Sequence, residues 1–189
     1  MRKIIVGAQV SMDGVMQAPG GPTEDPTKGF KFGGWAIRYF DQEFVEALDH
    51  VFGKFDLLLG RKTYEIFAGY WPYSHGRIGK VFNDIKKYAV SRSGELDTTW
   101  AGSVLLRDVA EVKRLRREDG PNLLTQGSTE LVHALLANDL VDAMSLFTVP
   151  DGLIVGHYER EGEIKIDDTP LDSPSQREIA RRERMKREG

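Results

Sequence analysis

The chain has 189 residues, which is enough for one domain with a sizeable hydrophobic core. Its hydrophobic fraction of 40% and charged fraction of 29% are typical of a soluble globular protein, and its net charge of -3 gives no reason to expect nucleic acid as a partner. The sequence contains no cysteine, which excludes disulfide bonds, thiolate chemistry and zinc–thiolate sites. The four histidines show no ligand spacing, so we predict no metal site.

Two targeting signals are missing from the sequence. No apolar run approaches the roughly 20 residues that cross a bilayer. The first residues run directly into a strand pattern and do not resemble a signal peptide. We therefore expect a cytoplasmic protein that has no membrane partner.

A first, central strand is predicted over residues 3–10, and it ends in the turn signature Ser11-Met12-Asp13-Gly14. In this signature the Asp13 side chain can bond its own backbone and Gly14 can take a positive φ. Eight of the next eighteen residues, 17–34, are glycine or proline, so this segment is predicted to be a long surface loop. Loops of this length in compact domains are often lids or binding loops, and the alternative is a disordered insertion. Aromatic residues near its end, Phe30, Phe32 and Trp35, favour a loop that packs onto something apolar.

A helix is predicted to begin at Asp41, a good N-cap residue, with Phe40 and Val45 at the positions of a hydrophobic staple. A largely apolar run over 55–59 then predicts a strand buried on both faces. It breaks at Gly60-Arg61-Lys62-Thr63, ahead of a helix-like segment over 64–68. Such a junction can bind an anion through close backbone approach, helix N-terminal N–H groups and two cations. The alternative is an ordinary strand-to-helix turn with two solvated cations.

Strand and helix patterns alternate along the rest of the chain. This alternation predicts an α/β fold with a largely parallel sheet and antiparallel strands at the C-terminal end. The predicted strands cover 88–90, 103–106, 122–125, 143–149 and 153–158, with a hairpin return at 164–166, and the predicted helices cover 78–87, 108–119 and 129–138.

Three of the predicted strands end in polar turns, at Gly60, at Ser91-Arg92 and at Gln126-Gly127-Ser128. Ligands of open α/β sheets bind at the carboxyl ends of strands, so three such turns together favour a dinucleotide site. The Gly-x-Gly-x-x-Gly fingerprint is absent, which excludes a standard Rossmann module.

The order and spacing of these motifs over about residues 3–158 resemble the dihydrofolate reductase superfamily. They are most similar to the reductase domain of the bacterial bifunctional riboflavin-pathway deaminase–reductase and to its stand-alone relatives. The resemblance implies a dihydrofolate reductase-like mixed sheet, mostly parallel and flanked by helices, in a domain over 1–166 that is followed by a charged tail over 167–189. The matching stretches are Ser11-Met12-Asp13-Gly14, Trp35, Leu58-Leu59-Gly60-Arg61-Lys62-Thr63-Tyr64-Glu65, Val90-Ser91-Arg92, Leu124-Thr125-Gln126-Gly127-Ser128 and Leu140-Val141-Asp142.

The same resemblance implies an NADPH-dependent reductase of a small heterocycle, such as the riboflavin-pathway pyrimidine 5-amino-6-(5-phosphoribosylamino)uracil. The turns at Gly60 and Gly127 would hold the pyrophosphate, and the Ser91-Arg92 turn would lie by the adenosine 2′-phosphate. Asp13 and Trp35 would contact the substrate. Arg61, Lys62 and Arg92 are cations of the kind that a 2′-phosphate needs. The implied cofactor-binding residues are Ser11, Gly14, Gly60, Arg61, Lys62, Thr63, Ser91, Arg92, Gln126, Gly127, Ser128 and Thr129.

Two carboxylates, Asp13 and Asp41, are candidates for relaying the proton to the substrate. Asp41 has the alternative role of a helix cap. Relatives usually carry a Gly-rich segment and one more strand after the position of Pro150, and this chain lacks them. In relatives this segment forms part of the substrate end of the pocket, so its absence affects the choice of substrate and catalysis. Two alternatives therefore stay open beside the reductase, namely an NADPH-binding protein with little turnover and a dihydrofolate reductase.

The C-terminal tail is rich in charged residues. Six cations and three anions lie between Ser175 and Gly189, which predicts a charged helix or disorder and leaves partner binding as an alternative. Beside an enzyme and a nucleotide-binding protein, a third class of function is an interaction protein that acts through this tail. Relatives are commonly homodimers, and a shortened sheet leaves an edge that needs cover, so we expect a homodimer.

Overall fold

The computed structural model describes residues 1–39, 53–149, 154–160, 162 and 175–188. The helix expected from Asp41, with its staple residues Phe40 and Val45, lies outside the described residues. So does the expected hairpin return at 164–166. Asp41 therefore stays a prediction, both as a proton donor and as a helix cap.

Seven strands and five α-helices alternate along the described chain. The strands are β1 (Ile4–Ser11), β2 (Phe55–Gly60), β3 (Lys87–Val90), β4 (Ser103–Leu106), β5 (Asn122–Gln126), β6 (Ala143–Val149) and β7 (Ile154–Glu159). The helices are α1 (Arg61–Tyr70), α2 (Arg77–Asp84), α3 (Val109–Arg117), α4 (Thr129–Ala137) and α5 (Gln176–Glu188).

All seven strands form one sheet in the order β4-β3-β2-β5-β1-β6-β7. Every neighbouring pair is parallel except β6 and β7, which are antiparallel. The predicted α/β class, with a mostly parallel sheet and an antiparallel C-terminal strand, is confirmed. The strand β1 lies inside the sheet between β5 and β6, as its apolar pattern predicted.

Helices cover both faces of the sheet, which explains the three consecutive leucines of β2, Leu57 to Leu59. Leu58 packs on one face with residues of α3 and α4, such as Val112 and Leu135. Leu57 and Leu59 pack on the other face with Tyr64 of α1 and Phe82 of α2. A strand buried on both sides has no polar side to alternate with, as parallel sheets require.

Two predicted boundaries are wrong in ways that matter for function. Helix α1 begins at Arg61, directly after Gly60, so Thr63 lies inside the first turn instead of preceding the helix. Lys87 was predicted at the end of a helix but is the first residue of β3, and it is fully buried. Both residues have side-chain hydrogen bonds with parts of the chain distant in sequence, Thr63 with Ser128 and Lys87 with Ala101.

The two edges of the sheet differ. At one edge, β4 has only four residues. At the other, β7 has six residues and exposes Ile154 and Tyr158. Long exposed edge strands invite pairing, so β7 is where the expected homodimer would form, and that dimer stays a prediction.

The C-terminal tail is helical in α5, where Glu178 accepts hydrogen bonds from Arg181 and Arg182. Within the described ranges, no helix has the length and apolar character needed to span a bilayer.

Candidate functional site

Four polar turns follow the carboxyl ends of β1, β2, β3 and β5, and they lie on the same side of the sheet because these strands run parallel. We call this side, where the strands end, the carboxyl edge; it is distinct from the edge strands β4 and β7. These turns begin at Ser11, Gly60, Ser91 and Gly127. β2 and β5 are direct neighbours, so the turns at Gly60 and Gly127 lie side by side. The dinucleotide hypothesis required this juxtaposition.

Two hydrogen bonds lock the Gly60 and Gly127 turns together. The N–H of Gly60 donates to Ser128 Oγ at 3.0 Å, and the N–H of Ser128 donates to Thr63 Oγ1 at 3.2 Å. Ser128 Oγ also donates to the carbonyl of Gln126 at 3.1 Å. Thr63 and Ser128 therefore connect α1 to α4 instead of capping their own helices.

The backbone of both turns leaves room for an anion. Neither α1 nor α4 has a side-chain cap at its N-terminus, where N–H groups lack intrahelical partners. Gly127 has φ +58°, and a Cβ placed there would meet nothing nearer than 3.8 Å, at Thr63 Oγ1. Two helix N-termini with open backbone are a favourable place for a phosphate group.

Two exposed arginines flank these turns. Arg61 donates to Glu65 Oε1 at 2.8 Å and to Ser93 Oγ at 3.3 Å, and its carboxylate partner raises the pKa of the guanidinium. Arg92 is 88% exposed and lies 3.4 Å from Glu130. Exposed ion pairs of this kind are weak, so a phosphate can replace the carboxylate partner at small cost.

Ser91 has a structural role in its turn. Its side chain is buried, and its Oγ donates to the carbonyl of Glu95 at 3.1 Å and lies 3.0 Å from Ser93 Oγ. The hydroxyl therefore shapes the turn that presents Arg92. The prediction that Ser91 itself binds a cofactor stays a prediction.

Lys62 was predicted as a third phosphate-binding cation, but its ammonium contacts the long loop. Its Nζ lies 2.6 Å from Asp25 Oδ2 and 2.7 Å from Thr27 Oγ1. Sequence spacing alone cannot predict this pairing between the loop and α1. Asp25 and Thr27 are functional candidates that the sequence did not reveal.

The long loop is ordered by its own hydrogen bonds, so the alternative of a disordered insertion is wrong. Trp35 Nε1 donates to the carbonyl of Gln17 at 2.9 Å, and Glu24 Oε2 accepts from the N–H groups of Gly20 and Gly21 at 2.6 and 3.0 Å. A Cβ at Gly33 would lie 2.6 Å from the carbonyl oxygen of Pro22, so only glycine fits there. The glycines and prolines of this segment thus specify one compact loop.

A groove of about 280 Å³ lies between this loop and the end of β1. It brings together Ser11, Asp13 and Trp35, three of the residues predicted from the sequence. The aromatic residues Phe30, Phe32 and Tyr39 and the aliphatic Val15 complete its lining. The sequence signalled Phe30 and Phe32 as docking residues but did not reveal that they form a wall of the site.

At the polar end of the groove, Ser11 organises the turn that carries Asp13. Ser11 Oγ donates to Asp13 Oδ1 at 2.5 Å and accepts the N–H of Val15 at 2.8 Å. The expected local backbone bond is therefore made by Ser11 and not by Asp13. Gly14 has φ +87°, as the turn signature predicted. The Asp13 carboxylate is left exposed at the mouth of an aromatic groove.

A larger concave volume, of about 590 Å³, runs along α5 and is lined by residues of that helix and by the adjoining Ser175. It shares no lining residue with the carboxyl edge of the sheet. Across the described part of the chain, no group of three or more potential ligand residues could hold a metal ion. The groove and the interlocked turns are therefore the candidate site.

Comparisons with known proteins point to one family. The chain is 24% identical over 157 residues to the uncharacterized protein YyaP of Bacillus subtilis (strain 168), a match that covers 79% of this chain and 75% of that protein. Its fold is similar to that of a dihydrofolate reductase from Enterococcus faecalis complexed with NADP(H) and RAB-propyl. The TM-score is 0.52 at 11% identity, over 84% of this chain and 77% of that one.

The family model described as the RibD C-terminal domain matches residues 2–176, nearly the whole chain. This match confirms the resemblance that the motifs at Ser11, Gly60, Ser91 and Gln126 carried. With the interlocked turns at the carboxyl edge and a dihydrofolate reductase-like sheet beneath them, the chain belongs to the RibD C-terminal domain family.

Proposed function

We propose that this protein is an NADPH-dependent reductase of a small heterocyclic substrate. One observation carries the proposal, namely the pair of uncapped helix N-termini that Gly60, Thr63 and Ser128 lock together beside Arg61 and Arg92. A similar fold in a dihydrofolate reductase complexed with NADP(H) supports the same class of cofactor.

The residues at this edge fit the phosphates of a dinucleotide. The turns at Gly60 and Gly127 would hold the pyrophosphate through backbone N–H groups. Arg61 and Arg92 would bind the 2′-phosphate, since a ribose hydroxyl would call for a carboxylate instead. NADPH supplies a hydride when bound, and the protein orients the reactants and excludes water.

The groove would hold the substrate. Phe30, Phe32, Trp35 and Tyr39 offer the flat apolar surface that an aromatic heterocycle packs against. Asp13 stands at the polar end, where its carboxylate could accept an N–H of the ring or relay a proton from water. This assignment makes Asp13 the described candidate for proton transfer.

Two compounds are candidates for the substrate. The RibD family suggests the riboflavin-pathway pyrimidine, and the fold suggests dihydrofolate as a second candidate. β6 ends at Val149 and β7 begins at Ile154, so the sequence between them is too short to contain the additional segment expected from relatives. Near-attack geometry is worth several orders of magnitude in rate, and a substrate end that differs from that of relatives would lower turnover of their substrates. We therefore expect NADPH to bind while both candidate substrates react weakly or not at all.

Fluorescence titration and steady-state assays on one preparation test the proposal. We expect NADPH to bind at least tenfold more tightly than NADH, because two cations flank the phosphate turns. Since little turnover of the two candidate substrates is expected, only a failure to turn over any other pyrimidine or pteridine as well, with NADPH binding retained, would select the alternative of a binding protein. Vigorous turnover of dihydrofolate would select a dihydrofolate reductase. Absence of any nucleotide binding would reject the assignment of the three phosphate turns, at Gly60, Ser91 and Gly127.

A further inference from the structure

Lys62 occupies an unusual position for an exposed lysine. It belongs to the first turn of α1, next to the proposed phosphate turn, yet its ammonium contacts two side chains of the loop, Asp25 at 2.6 Å and Thr27 at 2.7 Å. The Lys62 side chain is 57% exposed, whereas that of Asp25 is only 12% exposed. Two of the three donors of the ammonium are therefore used by one segment of the loop.

The Asp25–Thr27 segment is built to receive this cation. Asp25 Oδ1 accepts from both the N–H and the hydroxyl of Thr27, at 3.2 and 2.6 Å, which leaves Oδ2 for Lys62. Gln17 Nε2 donates to the carbonyls of Asp25 and Thr27, both at 3.0 Å. Burial raises the pKa of Asp25, but the hydrogen bonds from Lys62 and Thr27 and the charge of Lys62 outweigh it and lower the pKa below its ordinary value.

The same segment is connected to the aromatic wall of the groove. Gln17, which supports Asp25 and Thr27 through its side chain, accepts the Trp35 indole N–H through its carbonyl at 2.9 Å. Phe30 follows Thr27 by three residues and packs edge-to-face on Phe32, with ring centroids 5.9 Å apart. An interaction that holds Asp25 and Thr27 in place therefore also holds the aromatic wall of the groove in place.

We propose that Lys62 is a positioning residue, which holds the loop of residues 17–36 against α1 and thereby holds the aromatic wall of the groove. We name the set of Lys62, Asp25 and Thr27 the loop latch. The inference rests on the proposed function only for what the groove binds. It changes the expected role of Lys62, because a cation engaged by the loop contributes little to phosphate binding. The latch links the cofactor edge to the substrate groove through one side chain.

Limited trypsin digestion tests the latch, since Lys28 and Lys31 are exposed cleavage sites within the loop. Two hydrogen bonds that involve an ion pair hold the loop, so Lys62→Met should speed cleavage after Lys28 and Lys31 about tenfold. Asp25→Asn should have the same effect, and the double variant should be no faster than either single one. Lys62→Arg should restore most of the protection, because its guanidinium can contact both acceptors.

Two further readouts separate the latch from a general loss of stability. Hydrogen exchange should increase in peptides of the loop and stay unchanged in α3, which serves as the internal control. NADPH affinity of Lys62→Met should stay within about twofold of the parent, a change of under 0.5 kcal/mol. A tenfold loss of NADPH affinity with an unchanged loop would overturn the proposal and make Lys62 a phosphate ligand.

The failure of the latch and the failure of the proposed function give different results. If the parent protein does not bind NADPH, the proposed function is wrong, while trypsin digestion still reports on the loop. If NADPH binds but neither Lys62→Met nor Asp25→Asn changes cleavage of the loop, the latch is wrong and the reductase proposal stands. Asp25→Asn keeps the test decisive should Lys62→Met fail to fold.

Discussion

The two ends of the parallel sheet use the same kinds of charged residue in opposite ways. At the amino end, Arg2 is buried and donates to Asp56 Oδ2 and to the carbonyl of Pro121, both at 2.5 Å. Its guanidinium also lies over the ring of Tyr88, 5.2 Å from the centroid. At the carboxyl end, Arg61 and Arg92 are exposed and form ion pairs with Glu65 and Glu130, whose carboxylates water can replace.

Lys87 and Arg116 extend the pattern at the amino end. The buried ammonium of Lys87 donates to the carbonyls of Asn83, Ile85 and Ala101 at 3.0, 2.8 and 2.7 Å. Arg116 donates to Asp142 at 2.6 Å, and Asp142 also accepts the N–H of Ile4. A buried charge is tolerated only when it is paired or fully hydrogen-bonded, and the contacts of Arg2, Lys87 and the partly buried Arg116 meet this need within the protein. These cations therefore belong to the structure, whereas the exposed arginines of the other end remain available to a ligand.

The largest expected effect is on the free energy of unfolding, and it distinguishes an arginine at the amino end from one at the carboxyl end when each is replaced by methionine. Arg2→Met leaves Asp56 buried without its partner and should lower the free energy of unfolding by about 3–5 kcal/mol. Arg92→Met removes an exposed side chain and should change it by less than about 0.5 kcal/mol. Urea unfolding of the two variants measures the difference. Similar losses for both would show that the two ends do not differ in the proposed way.

A smaller effect is expected on ligand affinity at the carboxyl end. Arg61→Met and Arg92→Met should each weaken NADPH binding about tenfold, because each removes a charge-assisted contact to phosphate, and should weaken NADH binding less. Arg114→Met is the matched control, since Arg114 is an exposed arginine of α3 that is paired with Glu111. Fluorescence titration gives the affinities. Equal losses for NADPH and NADH would reject the assignment of these arginines to the 2′-phosphate.

The smallest effect concerns pH and the amino end. Burial lowers the pKa of Lys87 from 10.5 to about 8, against the attraction of Asp84 and Asp56. Between these two pKa values the unfolded chain binds more protons than the folded one, so stability should rise with pH in that window. Below pH 8 both states are protonated and the contribution is constant.

Urea midpoints at pH 7.5, 8.5 and 9.5 measure this dependence. The rise attributable to Lys87 is the difference between the parent and Lys87→Met, because other groups titrate equally in both. Lys113→Met, which removes an exposed lysine, should keep the parent's pH dependence. A parent and a Lys87→Met variant with the same slope would mean that the ammonium keeps its ordinary pKa.

Gly127 shows where sequence reasoning about the site succeeded and where it stopped. Its motif predicted a turn at the carboxyl edge with close backbone approach, and the structure has such a turn beside Gly60. The motif did not reveal the conformation of this residue. Gly127 has φ +58°, where a β-branched side chain would strain the backbone, so Gly127→Val would disturb the fold as well as the proposed phosphate site.

Long-range contacts account for the features of the site that the sequence did not reveal. Lys62 is paired with Asp25, 37 positions earlier in the sequence, and no periodicity or propensity encodes such a pair. Thr63 contacts Ser128 across the two turns, so it does not cap its own helix. The short-range pattern predicted strands and helices well because hydrophobic periodicity is local, whereas these polar pairs exist only after β2, β5 and the loop are assembled.

The sequence by itself determined the α/β class, the ends of the buried strands and the positions of the glycine turns, since apolar runs and glycines act through local geometry. The tertiary structure decided which of the cations remain available to a ligand. Arg61, Lys62 and Arg92 are equivalent in the sequence as charges after strands, but the fold brings an acidic loop segment to Lys62. Arg61 pairs with Glu65 of its own helix, and Arg92 meets the exposed Glu130. The physical reason is that electrostatic pairing depends on distance in space, and the order of strands in the sheet sets that distance.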